Sequence, residues 1–325
     1  MLNEEGNIKV EISAFYKFSV TVIRIMLYGA LEAGGTKMIC AVGNENGQIL
    51  DQVSIPTTTP DETMPKVIEF FKGKLEAESD DDKIQALGIA CFGPVDVRKN
   101  SKTYGNILYT PKIAWRNYPM VKAMKEALND IPVGFDTDVN GSLLGEVTWG
   151  CAKGLTDAIY FTIGTGIGMG AMSGGNLIHG MLHPETGHIA MSVIPGDEYK
   201  GHCPSHGACF EGMASGPAIQ DRWGKPAKEL ADDDAVWELE AKYIAQALTS
   251  VTYMLSPQKI ILGGGVMSQA QLFPLIRKYV LENINGYIDT KELRNINSYI
   301  TPAALNGNQG IMGAIKLAVM ASEKA

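Results

Sequence analysis

Two stretches of the chain repeat one pattern of apolar and polar positions. Leu27–Ala33 is a short apolar run, and residues 38–42 and 49–55 are further apolar runs separated from it by turn residues. This spacing predicts three strands joined by tight turns in an antiparallel sheet. Ala158–Ile163 and residues 167–172 flank a second glycine turn in the same way. The repeated pattern predicts two α/β halves with a cleft between them.

The remaining elements alternate helices with buried strands. Apolar positions that recur every three to four residues predict amphipathic helices. These helices cover residues 64–75, 120–128, 139–149, 233–255, 266–281 and 309–321. Continuous apolar runs predict strands that are buried in a parallel sheet. These strands are Ile84–Cys91 and residues 131–135 and 259–262. The alternation indicates the α/β class.

Composition narrows the possible partners. The 325 residues are 45% hydrophobic and 20% charged, which is typical of a globular chain long enough for two domains. The formal net charge is -8, so no basic face for nucleic acid is predicted. No uninterrupted apolar run approaches the roughly 20 residues of a membrane span, so no membrane partner is predicted. Five cysteines without a disulfide-rich pattern favour a cytoplasmic location.

Residues 1–26 precede the repeated pattern and carry no recognisable chemistry. They lack the basic start, the uninterrupted apolar centre and the small-residue cleavage site of a signal peptide. We expect them to form an N-terminal extension outside the catalytic fold.

Glycine turns at the ends of three apolar strands are candidate phosphate sites. A phosphate needs backbone N–H groups aimed at it and no Cβ in the way, which glycine provides. The turns contain Gly34, Gly35, Thr36 and Lys37 in the first, Gly164, Thr165 and Gly166 in the second, and Gly264 and Gly265 in the third. Neither of the first two fits a P-loop, and the second is followed by an apolar strand run, which disfavours a Rossmann fingerprint. One such turn alone often only reverses the chain, but the three together predict a nucleotide site.

Asp138 and Asn140 lie between an apolar strand and a predicted helix. A carboxylate at such a strand end can accept a proton from a hydroxyl group, and an amide can hydrogen-bond a sugar hydroxyl. Asp and Asn are also favoured at helix caps. The local pattern therefore leaves a catalytic role and a capping role equally open.

All the histidines of the chain fall in one short stretch, together with two cysteines. The histidines are His179, His183, His188, His202 and His206. The spacing of Cys203, His206 and Cys209 places three metal ligands on one short loop, and a structural zinc needs four. His188 is the predicted fourth ligand, with His183 and His202 as alternatives. A zinc ion with four protein ligands has no open position, so its role would be structural.

From Met26 onward the chain resembles the ROK family of sugar kinases, and within that family the bacterial fructokinases. Residues 32–37 are similar to the D-x-G-G-T-K phosphate turn of the family, and residues 137–140 to its N-D-x-N catalytic turn. Residues 162–168 are similar to its second phosphate loop and residues 185–188 to its E-x-G-H motif. Residues 203–216 stand where the family has its zinc loop. The resemblance covers about 300 residues, in the order of the family's motifs.

The resemblance implies an actin/hexokinase-like (ribonuclease H-like) fold, a duplicated two-domain α/β architecture with a central cleft. The implied domains are residues 27–133 with 308–325, and residues 134–307 with the zinc loop. The implied activity is that of an ATP-dependent hexose kinase, with fructose as the expected sugar. The alternatives are a glucokinase, a mannokinase, an N-acylhexosamine kinase and a non-catalytic sugar-binding regulator. Mg2+ with ATP, a structural Zn2+ and a homodimer are also implied.

The resemblance also implies roles for single residues. Asp138 is the implied general base for the 6-hydroxyl of the sugar. The implied substrate contacts are Asn140, Glu185, His188, Glu211, Gly93 and Asn106, and His188 also belongs to the zinc site with Cys203, His206 and Cys209. The glycine-turn residues are the implied nucleotide contacts. Glu32 replaces the family's commoner Asp, which loosens the expected hold on Mg2+, and Thr137 replaces an Asn.

Overall fold

The computed structural model describes residues 25–77, 79 and 83–324, so the predicted N-terminal extension lies outside the described residues except for Ile25 and Met26. Two five-stranded sheets form its centre. The first sheet consists of β1 (Leu27–Ala33), β2 (Lys37–Asn44), β3 (Ile49–Pro56), β4 (Ile84–Cys91) and β5 (Val133–Thr137). The second consists of β6 (Ala158–Ile163), β7 (Ile167–Ser173), β8 (Asn176–Leu177), β9 (Lys259–Gly263) and β10 (Ile300–Pro302).

The two sheets share one topology. The strand order is β3-β2-β1-β4-β5 in the first sheet and β8-β7-β6-β9-β10 in the second. In each, the first three strands in sequence form an antiparallel meander. The fourth strand pairs in parallel with the first, and the fifth pairs in parallel with the fourth. The repeated pattern in the sequence therefore corresponds to a duplicated sheet.

Helices cover both faces of the sheets and fill the space between them. They are α1 (Pro60–Leu75), α2 (Met120–Ala127), α3 (Asp138–Thr148), α4 (Phe210–Ala214), α5 (Gly216–Trp223), α6 (Asp234–Leu255), α7 (Leu272–Ile284), α8 (Lys291–Arg294), α9 (Ile296–Tyr299) and α10 (Gln309–Ser322). One buried cluster joins α3 and α10 to both sheets, and two others lie on the outer faces. A Cβ on Gly313 of α10 would collide with the Gly141 carbonyl of α3, so glycine permits this close crossing.

Most predicted elements are present within a few residues of their expected bounds, but the helix expected at residues 266–281 is wrong at its start. Val266–Ser268 forms one 3-10 turn, and α7 begins only at Leu272. The backbone of Gln269 is extended, which interrupts a continuous helix. His188 lies on a 3-10 turn, Thr186–His188.

Candidate active site

The end of β5 and the start of α3 hold the predicted base. Thr137 Oγ1 accepts the backbone N–H of Asn140 at 3.1 Å, so Thr137 caps the helix. Asp138 is therefore not the cap, and its Oδ1 accepts the N–H of Val139 at 2.9 Å. Desolvation raises the pKa of Asp138 to about 6. A carboxylate with this pKa is still ionised at neutral pH, and it is more basic than an exposed aspartate.

Asn140 is buried and has hydrogen bonds at both ends of its amide. Its Nδ2 donates to Asp136 Oδ1 at 2.7 Å, and its Oδ1 accepts the N–H of Ala171 at 3.2 Å. These bonds tie the start of α3 to β5 in the first sheet and to β7 in the second. The position of Asp138 between the sheets depends on this connection.

The carboxylates of Glu32, Asp138, Glu185 and Glu211, which we call the carboxylate cluster, lie close enough to influence one another. Desolvation raises the pKa of Glu32 to about 7, and the nearby charge of Asp138 adds to the rise. Desolvation likewise raises the pKa of Glu185 to about 7, helped by the charges of Glu211 and Asp138. Neighbouring carboxylates with raised pKa values, here Glu32, Asp138 and Glu185, are typical of a functional site.

The carboxylate cluster connects the first two glycine turns. Glu32 is the next-to-last residue of β1, directly before the first turn. Glu211 lies in α4, and its Oε2 accepts the N–H of Ile167 at 2.9 Å, directly after the second turn. A Cβ on Gly166 would lie 2.8 Å from that oxygen, so glycine leaves room for the carboxylate. The cluster thus spans from the first sheet to the second.

The first glycine turn is closed by its own backbone. The N–H of Gly34 donates to the Lys37 carbonyl at 3.1 Å. The side chains of Thr36 and Lys37 are exposed, and the positive charge of Lys37 partly offsets the rise in the pKa of Glu32. A hydroxyl, an ammonium and a glycine backbone therefore face solvent together beside Glu32.

The second and third glycine turns adjoin each other. A Cβ on Gly164 would lie 3.5 Å from the Gly265 nitrogen, and Gly264 has a positive φ of 91°. The Gly164 carbonyl also accepts the N–H of Gly216, the first residue of α5, at 2.8 Å. Thr165 is exposed at the tip of the second turn. The predicted nucleotide residues of the second sheet thus form one surface, which Gly216 joins.

Two histidines that are not metal-cluster residues lie at the site, His183 beside Glu185 and His179 beside Asp136, and sequence reasoning did not assign them these places. His179 Nε2 lies 2.9 Å from Asp136 Oδ2, and this hydrogen bond raises the pKa of His179. The buried His183 accepts the N–H of Val95 at its Nε2, at 3.1 Å, and its Nδ1 lies 3.4 Å from Glu185 Oε1. The sequence signal was the clustering of the histidines, which metal binding explains only in part.

Gly93 and Asn106, the two loosely implied sugar contacts, lie on the loops that follow β4. A Cβ on Gly93 would approach His183 Cε1 at 3.2 Å, so Gly93 faces the histidine beside Glu185. The carbonyl of Asn106 accepts the N–H of Asp96 at 2.9 Å, which holds the two loop strands together. The structure thus brings Gly93 to the carboxylate cluster and gives Asn106 a backbone role in the neighbouring loop.

A separate group of four side chains has the arrangement of a metal site. The ligand atoms of His188, Cys203, His206 and Cys209 all lie within 4.8 Å of one another. His188 Nδ1 is 3.6 Å from Cys209 Sγ and 4.0 Å from Cys203 Sγ, and His206 Nδ1 is 3.6 Å from Cys203 Sγ. The alternative ligands are engaged elsewhere, His183 with Val95 and His202 with Asp221.

Comparison with known proteins identifies the family. A family model described as the ROK family matches residues 28–321. The chain belongs to the ROK family. A protein of Bacillus subtilis (strain 168) is 52% identical over 293 residues, covering 90% of this ROK chain and 95% of the relative. A fructokinase of Pediococcus pentosaceus is 44% identical, covering 92% and 100% respectively. A glucokinase of Streptomyces coelicolor is 29% identical, covering 89% and 96%.

Solved structures agree with the fold of this ROK chain. The ROK hexokinase of Thermus thermophilus superposes with a TM-score of 0.73 at 25% identity, covering 92% of this chain and all of that one. The actin/hexokinase-like two-domain fold implied by the sequence is confirmed. Among the described residues, no helix is long and apolar enough to cross a membrane.

Proposed function

We propose that this ROK chain is an ATP-dependent hexose kinase that transfers a phosphoryl group to the 6-hydroxyl of fructose. The main support for this proposal is the carboxylate cluster. In it, Asp138 lies near Glu185 and near Glu32, which precedes the first glycine turn. A kinase needs an acceptor site, a phosphate site and a base between them. In this proposal Asp138 is that base, and Glu185 and Glu211 bind hydroxyl groups of the sugar, as does His188.

The residues of the chain support each step of the transfer. Glu185 and Glu211 would orient the sugar so that its 6-hydroxyl points to Asp138. The hydroxyl oxygen attacks the γ-phosphorus of ATP, the bond from that phosphorus to the β,γ-bridging oxygen breaks, and ADP leaves with the electron pair. Asp138 takes the hydroxyl proton during the attack. The backbone N–H groups of the glycine turns would hold the phosphates.

Glu32 would hold the Mg2+ that enters with ATP. Glu32 Oε2 is buried and has no hydrogen-bond partner within the described part of the chain, so a cation would satisfy it. Carboxylate oxygen is the ligand that Mg2+ prefers. When bound, the ion neutralises charge on the β- and γ-phosphate oxygens.

Zinc is the metal that we propose for the cluster of His188, Cys203, His206 and Cys209. Two thiolates and two imidazoles suit Zn2+, and bonds of about 2.0–2.3 Å imply ligand separations of about 3.3–3.8 Å. The observed separations of 3.6 to 4.0 Å are close to these values. Cys209 caps α4, the helix of Glu211, so zinc would fix the loop that carries a sugar contact.

Fructose is favoured over glucose by the degree of relatedness. The fructokinase of Pediococcus pentosaceus is 44% identical to this chain, whereas the glucokinase of Streptomyces coelicolor is 29% identical. ATP-coupled turnover with fructose, mannose, glucose and N-acetylmannosamine tests the proposal. We expect the highest kcat/KM for fructose. A higher value for another sugar would overturn the choice of fructose, and no turnover with any hexose would overturn the kinase proposal itself.

A further inference from the structure

The loop before α2 is fixed against the first glycine turn. The indole Nε1 of the buried Trp115 donates to the Thr58 carbonyl at 2.8 Å. The neighbouring Thr57 donates its hydroxyl to the Gly34 carbonyl at 2.8 Å and its N–H to the Thr36 carbonyl at 3.0 Å. A continuous chain of bonds therefore links the Trp115 loop to the turn that is proposed to bind phosphate.

This loop places a lysine on the glycine turn. Lys112 immediately precedes the 3-10 helix Ile113–Trp115. A Cβ on Gly35 would lie 3.0 Å from Lys112 Cε and 3.8 Å from its Nζ. The aliphatic stem of Lys112 therefore crosses the turn at Gly35, and the ammonium group lies beside the backbone there. A side chain on residue 35 would crowd it.

Lys112 differs from Arg116, the other cation of its loop, in that the described residues offer its ammonium group no ion pair and no hydrogen bond. Arg116 donates its Nε to the Thr110 carbonyl at 2.7 Å and stacks on the Tyr109 ring at 3.8 Å, so it is engaged within the loop. No ion pair joins Lys112 to a carboxylate of any residue that the structure describes. The ammonium group of Lys112 lies at the first glycine turn and is not paired with a described carboxylate, so it can bind an anion.

We propose that Lys112 is a further catalytic residue, whose ammonium group contacts the γ-phosphoryl group of ATP and stabilises its charge during transfer. This inference rests on the proposed kinase function. Charge stabilisation of this kind is the main contribution of a protein to phosphoryl transfer. Lys37 lies close enough to Glu32 to affect its pKa, whereas Lys112 lies against Gly35, so the two lysines occupy different places at the turn.

Kinetics and binding of Lys112→Met test the inference. Removal of one preorganised donor costs about 10²-fold in kcat, so we expect a fall of that size with the KM for fructose unchanged. Isothermal titration should show weaker binding of the β,γ-imido analogue of ATP and unchanged binding of ADP, because only the analogue has the γ-phosphoryl group. Lys112→Arg should recover much of the activity, since it keeps the charge.

Lys122→Met is the matched control, because Lys122 is an exposed lysine on α2 that pairs with Glu126 at 3.6 Å. It should match the wild type in every measurement. Activity of Lys112→Met within twofold of wild type would overturn the inference, as would an equal loss of affinity for ADP and the imido analogue. If the wild type phosphorylates no hexose, the proposed kinase function is wrong. The comparison of the imido analogue with ADP then still tests whether Lys112 contacts the γ-phosphoryl group.

Discussion

Thr137 caps α3, and this leaves the Asp138 carboxylate free for chemistry. From the sequence alone, Asp138 could equally be a helix cap or a catalytic base, because Asp, Asn and Thr are all common at helix starts. Only the hydrogen bond from Asn140 N–H to Thr137 Oγ1 distinguishes the two roles. Within residues 137–140, Thr137 therefore has the structural role and Asp138 the proposed catalytic role.

The pH dependence of turnover follows from the pKa of Asp138. Desolvation raises this pKa to about 6, and a general base must be unprotonated to act. We expect kcat/KM for fructose to fall by about tenfold per pH unit below that pKa. Protonation of Glu32 or Glu185, whose pKa values are about 7, would steepen the fall. A steady-state profile that stays flat down to about pH 5 would contradict the assignment.

Ionisation of Glu185 is predicted to lower the stability of the folded protein. Its pKa is raised from 4.5 to about 7, so the folded protein binds its proton more tightly than the unfolded chain does. The contribution of Glu185 to stability is therefore greatest below pH 4.5 and is lost as the pH rises through about 7. Glu185→Gln should raise Tm at about pH 8 relative to wild type, leave it unchanged at about pH 4, and lower the affinity for fructose. Gln85→Glu, on exposed Gln85, serves as a surface control.

A Tm for Glu185→Gln that lies below that of wild type at the higher pH would contradict the repulsion among the carboxylates. Differential scanning fluorimetry at both pH values measures the difference directly.

The histidines show what residue spacing can and cannot predict. The spacing of Cys203, His206 and Cys209 indicated a metal loop, and the described ligand atoms do converge there. Spacing alone did not distinguish His188 from His183. The partner of His183 is the backbone of Val95, on the loop that follows β4, and only the folded chain brings the two together.

At the scale of elements, the loop of Cys203–Cys209 leads directly into α4. Cys209 Sγ accepts the N–H of Gly212, and Glu211 lies in the first turn of the same helix. A metal ion on Cys209 would therefore hold the helix that positions the Glu211 carboxylate beside Gly166. This makes a structural metal relevant to the site without any contact with substrate.

Removal of the metal should weaken stability and activity together. Purified protein would be assayed for zinc, then treated with a strong chelator and compared in Tm and turnover. We expect a lower Tm, a higher KM for fructose and recovery of both on addition of Zn2+. Cys203→Ser should reproduce the effect, whereas Cys40→Ser serves as a variant of a buried cysteine outside the metal cluster. Intact activity after verified removal of zinc would contradict the proposed role.

Regular elements were more predictable than their interruptions. Apolar runs identified β1, β4 and β6 with their observed bounds, because a buried strand needs such a run on any fold. The break before α7 was missed, because residues 266–281 have a helical apolar pattern throughout. It arises at the third glycine turn, where Gly264 adopts a positive φ beside Ile163 and the following residues form only one 3-10 turn.

At the scale of the whole molecule, the duplication explains why the site lies where it does. Both sheets share one strand order, and α3 and α10 pack between them. Glu32 lies near the end of β1 and Asp138 directly follows β5, both strands of the first sheet, whereas Glu211 is hydrogen-bonded to Ile167 of β7 in the second. The duplicated fold was predictable from the repeated glycine turns. The domain bounds at residues 133/134 and 307/308 and the homodimer stay predictions.

The most direct test compares wild type with Asp138→Asn in ATP-coupled phosphorylation of fructose, with fructose binding measured on the same samples by calorimetry. Because general-base help is worth about 10²–10⁴-fold, kcat should fall by that factor, while the Kd for fructose and the Tm stay close to wild type. Near-wild-type turnover of Asp138→Asn, in a preparation whose wild type phosphorylates fructose, would contradict the account.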